Sequence, residues 1–360
     1  MKEFSIKNAI LQIEAMHQDV LMVVAPNYEE RSNAWLSYLG ELNNAITQHN
    51  KFFVGTITLQ AQTHQNVFLD GLKRHNTEKA SDHLESFSNH RLVRSNAVIT
   101  YPQGFSLNEL KAEIENWIAE LKGPLVVVID ISALPRNIIL SLLNIFRSIC
   151  FDGTISKLYF LYTWAEKYPR SGRLASIGSL GMAQDGRKFS QFLNGIQDVR
   201  ALLVASREGY SGRLFLDSLS PLSQIDTYIY MEKNDPLASH QIIYANFSLL
   251  SALEGRSNAD LHYYMSIPRG HRLLIDAASQ IAVEWDRNKV RNKSRAFVVA
   301  PFGPKPIIIS SYIACNKINP TLGLAGIVLH SGLQYSDTYS VGIRNSSCFE
   351  VSISEFIGEK

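Results

Sequence analysis

Four short stretches hold the residues whose types and spacing suit chemistry. The first is Tyr28-Glu29-Glu30-Arg31-Ser32, an aromatic ring, two carboxylates, a guanidinium and a hydroxyl in succession. The second runs from Asp130 through Ser132 to Arg136, the third is Glu208-Gly209-Tyr210, and the fourth is Gly303-Pro304-Lys305. Carboxylates whose surroundings push their pKa values apart can act as acid, base or nucleophile, so Glu29, Glu30, Asp130 and Glu208 are the candidates for catalysis at a glycosidic or phosphate bond. Arg31, Ser32, Ser132, Arg136, Gly209, Gly303 and Lys305 are the types that hold an anion, and Tyr28 or Tyr210 is the type that stacks on a base. Each also has a plain structural reading. Glu29 and Glu30 would cap a helix, Asp130 would close its loop by bonding near Ser132, Arg136 would pair with an acid, Gly209 would serve a turn with positive φ, and Gly303 with Lys305 would be an ordinary turn.

All four stretches share one grammar: an apolar strand, a polar loop, then a helix. VVAPNYEERS spans 23–32, VVVIDISALPR 126–136, LLVASREGYSG 202–212 and FVVAPFGPKP 297–306. Continuous Val- and Ile-rich runs are the pattern of strands buried on both faces, as in a parallel sheet covered by helices. The sequence therefore predicts an α/β fold, Rossmann-like, with mainly parallel sheets flanked by helices in two halves: an N-terminal domain over 1–195 and a C-terminal domain over 196–360 with a helical insertion at about 237–285. At 360 residues the chain suits such a division, given roughly 150 residues per domain. Right-handed crossovers would bring the strand C-termini to one edge, where open α/β sheets bind ligands and helix N-termini favour anions.

Further elements follow from periodicity and breakers. A helix is expected over Phe4–Met16, strands at Phe52–Leu59 and Ala97–Thr100, and an exposed helix or helical hairpin within 61–96, where His64, His75, His83 and His90 lie. Two helices are expected either side of Ser266-Ile267-Pro268, and the last clear strand is Gly326–His330. The stretch 164–190 reads as a lid or binding loop.

Several functions are disfavoured. The G-x-x-x-x-G-K-[ST] phosphate loop and the dinucleotide fingerprint are absent, since Gly178, Gly181 and Gly186 follow a polar stretch. No zinc motif occurs, so no metal is expected, and no motif names a cofactor. Gly209-Tyr210-Ser211-Gly212 approaches the nucleophile elbow of serine hydrolases, but its second glycine comes one residue early. A net charge of +2 gives no global field for nucleic acid. Cys150, Cys315 and Cys348 fit a reduced cytoplasmic setting, with no secretory signal and no run near the roughly 20 apolar residues of a membrane span.

The loops VVAPNYEERS, VVVIDISALPR and VVAPFGPKP resemble those of uncharacterised bacterial Rossmann-like proteins. The last, a strand followed by a glycine and a lysine before a helix, is similar to the ligand-gripping loop of CARF and SAVED nucleotide-sensing domains. That resemblance implies binding of nucleotide second messengers in antiviral defence, with Gly303 and Lys305 as the matching positions and Pro304 in place of the threonine of the fuller motif. The resulting expectation is a module that binds a nucleotide or phosphorylated small molecule, as a sensor or accessory subunit beside a protein partner or as a homo-oligomer. The rival readings are an enzyme that cleaves a nucleotide and a scaffold joined through the 237–285 helices.

Overall fold

In a computed structural model, every residue is described except 28, 47–49, 62–66, 87–91, 102–106, 167–173, 177–178, 184–185, 208, 234, 289–293, 331–333, 336–341 and 359–360. The chain opens with β1 (Lys2–Ser5), α1 (Ile6–Met16), β2 (Val20–Val24), α2 (Leu36–Ala45), β3 (Phe52–Ala61), α3 (Val67–Ser86), β4 (Leu92–Tyr101), α4 (Leu107–Ala119), β5 (Leu125–Asp130), α5 (Arg136–Cys150) and β6 (Ile155–Trp164). It continues through β7 (Leu174–Ser176), β8 (Leu180–Met182), α6 (Phe189–Phe192), β9 (Asp198–Ala205), α7 (Gly209–Asp217), β10 (Gln224–Tyr230), α8 (Pro236–Ala245), α9 (Phe247–Glu254), β11 (Ala259–Tyr264), α10 (Ile267–Arg287) and β12 (Arg295–Pro301). It closes with α11 (Ile307–Asn316), β13 (Leu324–His330), β14 (Gln334–Tyr335), β15 (Asn345–Val351) and α12 (Ile353–Ile357).

Two compact units result, one of residues 1–175 with 335–359 and one of residues 176–334. The first unit holds a seven-stranded sheet in the order β1-β15-β6-β5-β2-β3-β4. Strands β2 to β6 run parallel to their neighbours, whereas β15 is antiparallel to both β6 and β1. Every residue of β2 and of β5 is buried, as their unbroken apolar runs predict for strands covered on both faces. Val20, Met22 and Val24 face Ile10 and Ile13 of α1 and Leu36, Leu39 and Leu42 of α2 in one core. On β3, Gly55 leaves room for Trp117 of α4, whose ring would lie 2.3 Å from a Cβ at that position.

The second unit holds a six-stranded sheet in the order β11-β10-β9-β12-β13-β8, parallel except for the antiparallel edge strand β8. Reading β9 to β13 as strands one to five, this is the order 3-2-1-4-5. Strands β2 to β6 of the first unit repeat it. Both halves are thus Rossmann-like, and in both the order reverses between the first and fourth strands. The VVAP tetrapeptides occupy unequal places, at the end of the first strand in one unit and at the end of the fourth in the other, so their identity does not mark equivalent positions.

Several expectations change. The expected division at 195/196 differs from the observed one because β15, too polar at Asn345-Ser346-Ser347 to read as a strand, returns to pair with β1 and β6. The stretch 237–285 is no insertion: it contains β11 and the helices that lead into and out of it, and Ser266-Ile267-Pro268 is the start of α10. Residues 67–86 form one helix and not a hairpin, and the expected N-terminal helix begins two residues later, after β1. Most of 164–190 lies in β6, β8, α6 or outside the described residues.

Because β15 completes the first sheet, a fragment of residues 1–195 is expected to lack cooperative unfolding, while a fragment of 176–334 retains it. Denaturant unfolding followed by circular dichroism checks this; a sharp transition for 1–195 contradicts the assignment.

Candidate functional site

The four polar loops turn out to follow the first and fourth strands of the two units. In the first unit Val23 of β2 is in register with Ile129 of β5, so residues 25–27 leave the sheet beside loop 131–135. In the second unit Ala300 of β12 is in register with Leu203 of β9, so residues 206 and 207 leave the sheet beside loop 302–306. The structure thus joins the loops in two pairs, each at the reversal point of its own sheet, where helices leave toward opposite faces and open a crevice.

The first pair is filled by its own side chains. Arg31 is 1% exposed and donates through Nε to the Glu29 carboxylate at 2.6 Å. Its NH1 reaches the Tyr162 hydroxyl at 3.4 Å and the Thr163 carbonyl at 3.3 Å, and its guanidinium lies over the Tyr162 ring. The Ser32 hydroxyl donates to the Asn27 carbonyl at 3.1 Å, and Asn76 of α3 donates to the same carbonyl at 2.6 Å. Asp130 accepts from both the backbone N–H and the hydroxyl of Ser132, and the Ser132 oxygen accepts from the Thr163 N–H at 2.9 Å. Such buried polar groups must be hydrogen-bonded, and here they bond one another. The expected bond from Ser132 to Asp130 is present, whereas Glu29 makes no side-chain cap and forms an ion pair with Arg31. Glu30 falls in the short turn Glu30–Asn33, and Arg136 is the half-buried first residue of α5. Tyr28 lies outside the described residues.

The second pair is more open. Tyr210, in the first turn of α7, is 49% exposed, and Lys305 is partly exposed before α11. The first N–H groups of any helix lack intrahelical acceptors, so the start of α7 at Gly209 carries the positive end of its dipole. At α11 the corresponding donors turn back: Ile307, Ile308 and Ile309 bond the carbonyls of Pro304, Lys305 and Pro306. The cationic group on that side is thus the Lys305 ammonium. Beneath the loop, Gly303 packs on Val204, and the Tyr264 hydroxyl would lie 3.5 Å from a Cβ there. Tyr264 is 1% exposed and its hydroxyl has no hydrogen-bond partner among the described residues. Burial and the neighbouring Tyr230 hold its pKa well above the ordinary phenol value, so it is a donor and not a phenolate. Sequence reasoning passed over Tyr264; its only signal was an aromatic at the end of an unremarkable polar stretch.

Two glycine-based expectations are corrected. Gly209 does not have positive φ, and the backbone that approaches it is the protein's own: a Cβ there would sit 1.8 Å from the Ala245 carbonyl oxygen, where α8 passes into α9. Asn246 secures the same contact by donating to the Ser206 carbonyl at 2.5 Å. Ser211 is fully buried, which removes the nucleophile-elbow reading. Glu208 lies outside the described residues. No group of three or more His, Cys, Asp or Glu residues placed to hold a metal occurs among the described residues.

The fold and its reversal points define the chain as an α/β protein of two Rossmann-like halves. No protein-family model and no curated protein matches it. Among solved structures, the cytoplasmic domain of a prokaryotic cation chloride cotransporter aligns at 12% identity over 88% of this chain and 96% of that one, with a TM-score of 0.26, too low to bear on function. Among the described residues no helix is long and apolar enough to cross a membrane.

Removing one partner of a buried ion pair strands the other, so Glu29→Gln and Arg31→Met are each expected to cost about 3–5 kcal/mol, while the double variant costs less than their sum. Equilibrium denaturation measures the coupling; strictly additive losses would show that the two charges act separately.

Proposed function

We propose that the chain is a ligand-binding module whose site is the crevice between the loops after β9 and β12, and that its ligand is a nucleotide or another phosphorylated small molecule. The observation that carries this reading is the contrast between the two reversal points. The first is closed by the Glu29–Arg31 and Asp130–Ser132 networks, and the second has the exposed ring of Tyr210, the partly exposed Lys305, the N-terminus of α7 and a buried tyrosine hydroxyl with no hydrogen-bond partner among the described residues. A phosphate suits the positive helix end and the lysine, and a base suits the exposed ring of Tyr210. The Tyr264 hydroxyl is suited to an oxygen of the bound ligand, because a buried donor left without a partner costs about 1–3 kcal/mol until something satisfies it. Loops 25–33 and 131–135 then act as the rigid counterpart in the first unit. The resemblance of the Gly303–Lys305 loop to nucleotide-sensing domains places cyclic oligonucleotides among the ligands to try first. Hydrolysis of the ligand has less support, because two of the candidate carboxylates, Glu29 and Asp130, are already committed to internal partners.

Thermal-shift and calorimetric screening of nucleoside mono- and diphosphates and cyclic di-, tri- and tetranucleotides tests the reading. At least one ligand is expected to raise the melting temperature, and Lys305→Ala to weaken it about tenfold or more. Tyr264→Phe is expected to lower affinity while leaving the free protein as stable or more stable. A flat screen, or full affinity in both variants, contradicts the site.

A further inference from the structure

Strand β11 is an edge of the second sheet, and of the devices that keep such edges apart it carries one charged residue, Asp260. It contains no proline and no lysine, and it runs six residues against β10 without a bulge. Asp260 through Tyr263 are exposed, with Leu261 at 40% and Tyr263 at 45%.

The backbone phase can be read from the ladder. The Ile225 N–H donates to the Asn258 carbonyl at 3.0 Å and the Met231 N–H to the Tyr264 carbonyl at 2.8 Å. In a parallel pair every second residue turns both its N–H and its C=O to the same neighbour. Residues 258, 260, 262 and 264 therefore bond β10, and Ala259, Leu261 and Tyr263 point their N–H and C=O groups off the edge of the sheet.

The side chains show a second pattern. Ile225 and Ile229 pack with Ile242, Leu249 and Leu253 of α8 and α9, and they are in register with Ala259 and Tyr263. Leu261 and Tyr263 thus lie on the α8–α9 face, where Leu237, Tyr244 and Phe247 are 69%, 86% and 69% exposed. Asp260 and His262 lie on the other face, His262 stacked on Tyr228 with ring centroids 4.9 Å apart.

We propose that β11 is the seam of a two-fold dimer, in which a second copy of this chain adds its own β11 antiparallel to the first with the symmetry axis at Leu261. Two features select that register. It pairs Leu261 with Leu261 and Ala259 with Tyr263, so all three outward-pointing residues form hydrogen-bonded pairs. It sets Asp260 of each copy opposite His262 of the other, joining unlike groups across the closely spaced non-hydrogen-bonded positions. Sliding by two residues in either direction sets Asp260 against Asp260 or His262 against His262 and loses backbone pairs. The strand ribbon alone is small beside the roughly 1,200–2,000 Å² of a stable interface, and the α8 and α9 helices that cover the same face carry the exposed Leu237, Tyr244 and Phe247. An isologous contact of this kind closes at two copies, which prevents the edge from propagating into a fibre.

Sedimentation of the full chain is expected to give twice the monomer mass. Leu261→Lys, at an exposed position, is expected to give folded monomers. Leu261→Cys is expected to cross-link between copies under mild oxidation, because the native Cys150, Cys315 and Cys348 are buried and leave the new thiol as the reactive one. Asp260→Lys and His262→Glu are each expected to weaken the dimer about tenfold, and the double variant to recover most of that loss. A monomeric wild-type chain overturns the proposal, as does a dimer that survives Leu261→Lys and fails to cross-link. A double variant no stronger than the singles overturns the register.

Discussion

A β-strand that crosses to a parallel neighbour does so with a right-handed turn, and from this constraint the positions of all four polar loops follow. Starting from β2, successive crossovers lay down β3 and β4 on one side. Reversing direction then places β5 and β6 on the other, with their helices on the opposite face. The same sequence of moves from β9 produces β10, β11, β12 and β13. Between the first and fourth strands nothing crosses, so the loops leaving those strands border a gap that packing does not fill automatically. Each half of the molecule must either fill that gap with side chains or leave it to a ligand.

The two halves meet this condition differently. In the first, a charged loop is folded inward: Arg31 is held by a carboxylate, a phenol ring and a backbone carbonyl, and Asp130 organises the turn that begins α5. Burying those charges is costly unless every partner is in place, which makes the loop rigid. In the second half, helix packing consumes Gly209 and Asn246, while Tyr210 and Lys305 are exposed or partly exposed and the Tyr264 hydroxyl has no hydrogen-bond partner among the described residues. The order of strands is shared, and the chemistry of the gap is not.

Much of the scaffold was legible in the sequence, because runs such as Leu125-Val-Val-Val-Ile129 and Ala296-Phe-Val-Val-Ala300 have few other stable fates than a doubly covered strand. The loops stood out for the same reason, as abrupt changes of polarity at the ends of those strands. Edge elements were less legible. Strand β11, Ala259-Asp-Leu-His-Tyr-Tyr264, has four residues exposed, and β15 begins with three polar residues, so neither carries the burial signal that marks a central strand. The role of Arg31 was hidden because its partners Tyr162 and Thr163 lie over 130 positions away in the chain. Gly209 was misread for a related reason: glycine is needed equally for a ligand and for another helix, and only the position of Ala245 distinguishes them.

The central claim is that the second reversal point is open to a ligand and the first is not. Hydrogen–deuterium exchange of the chain with and without a saturating nucleotide found to bind addresses it directly. The account predicts slowed exchange at residues 206–212 and 302–308, with 25–33 and 131–136 unchanged because their hydrogen bonds are already made. Protection at the first pair of loops in place of the second would contradict it.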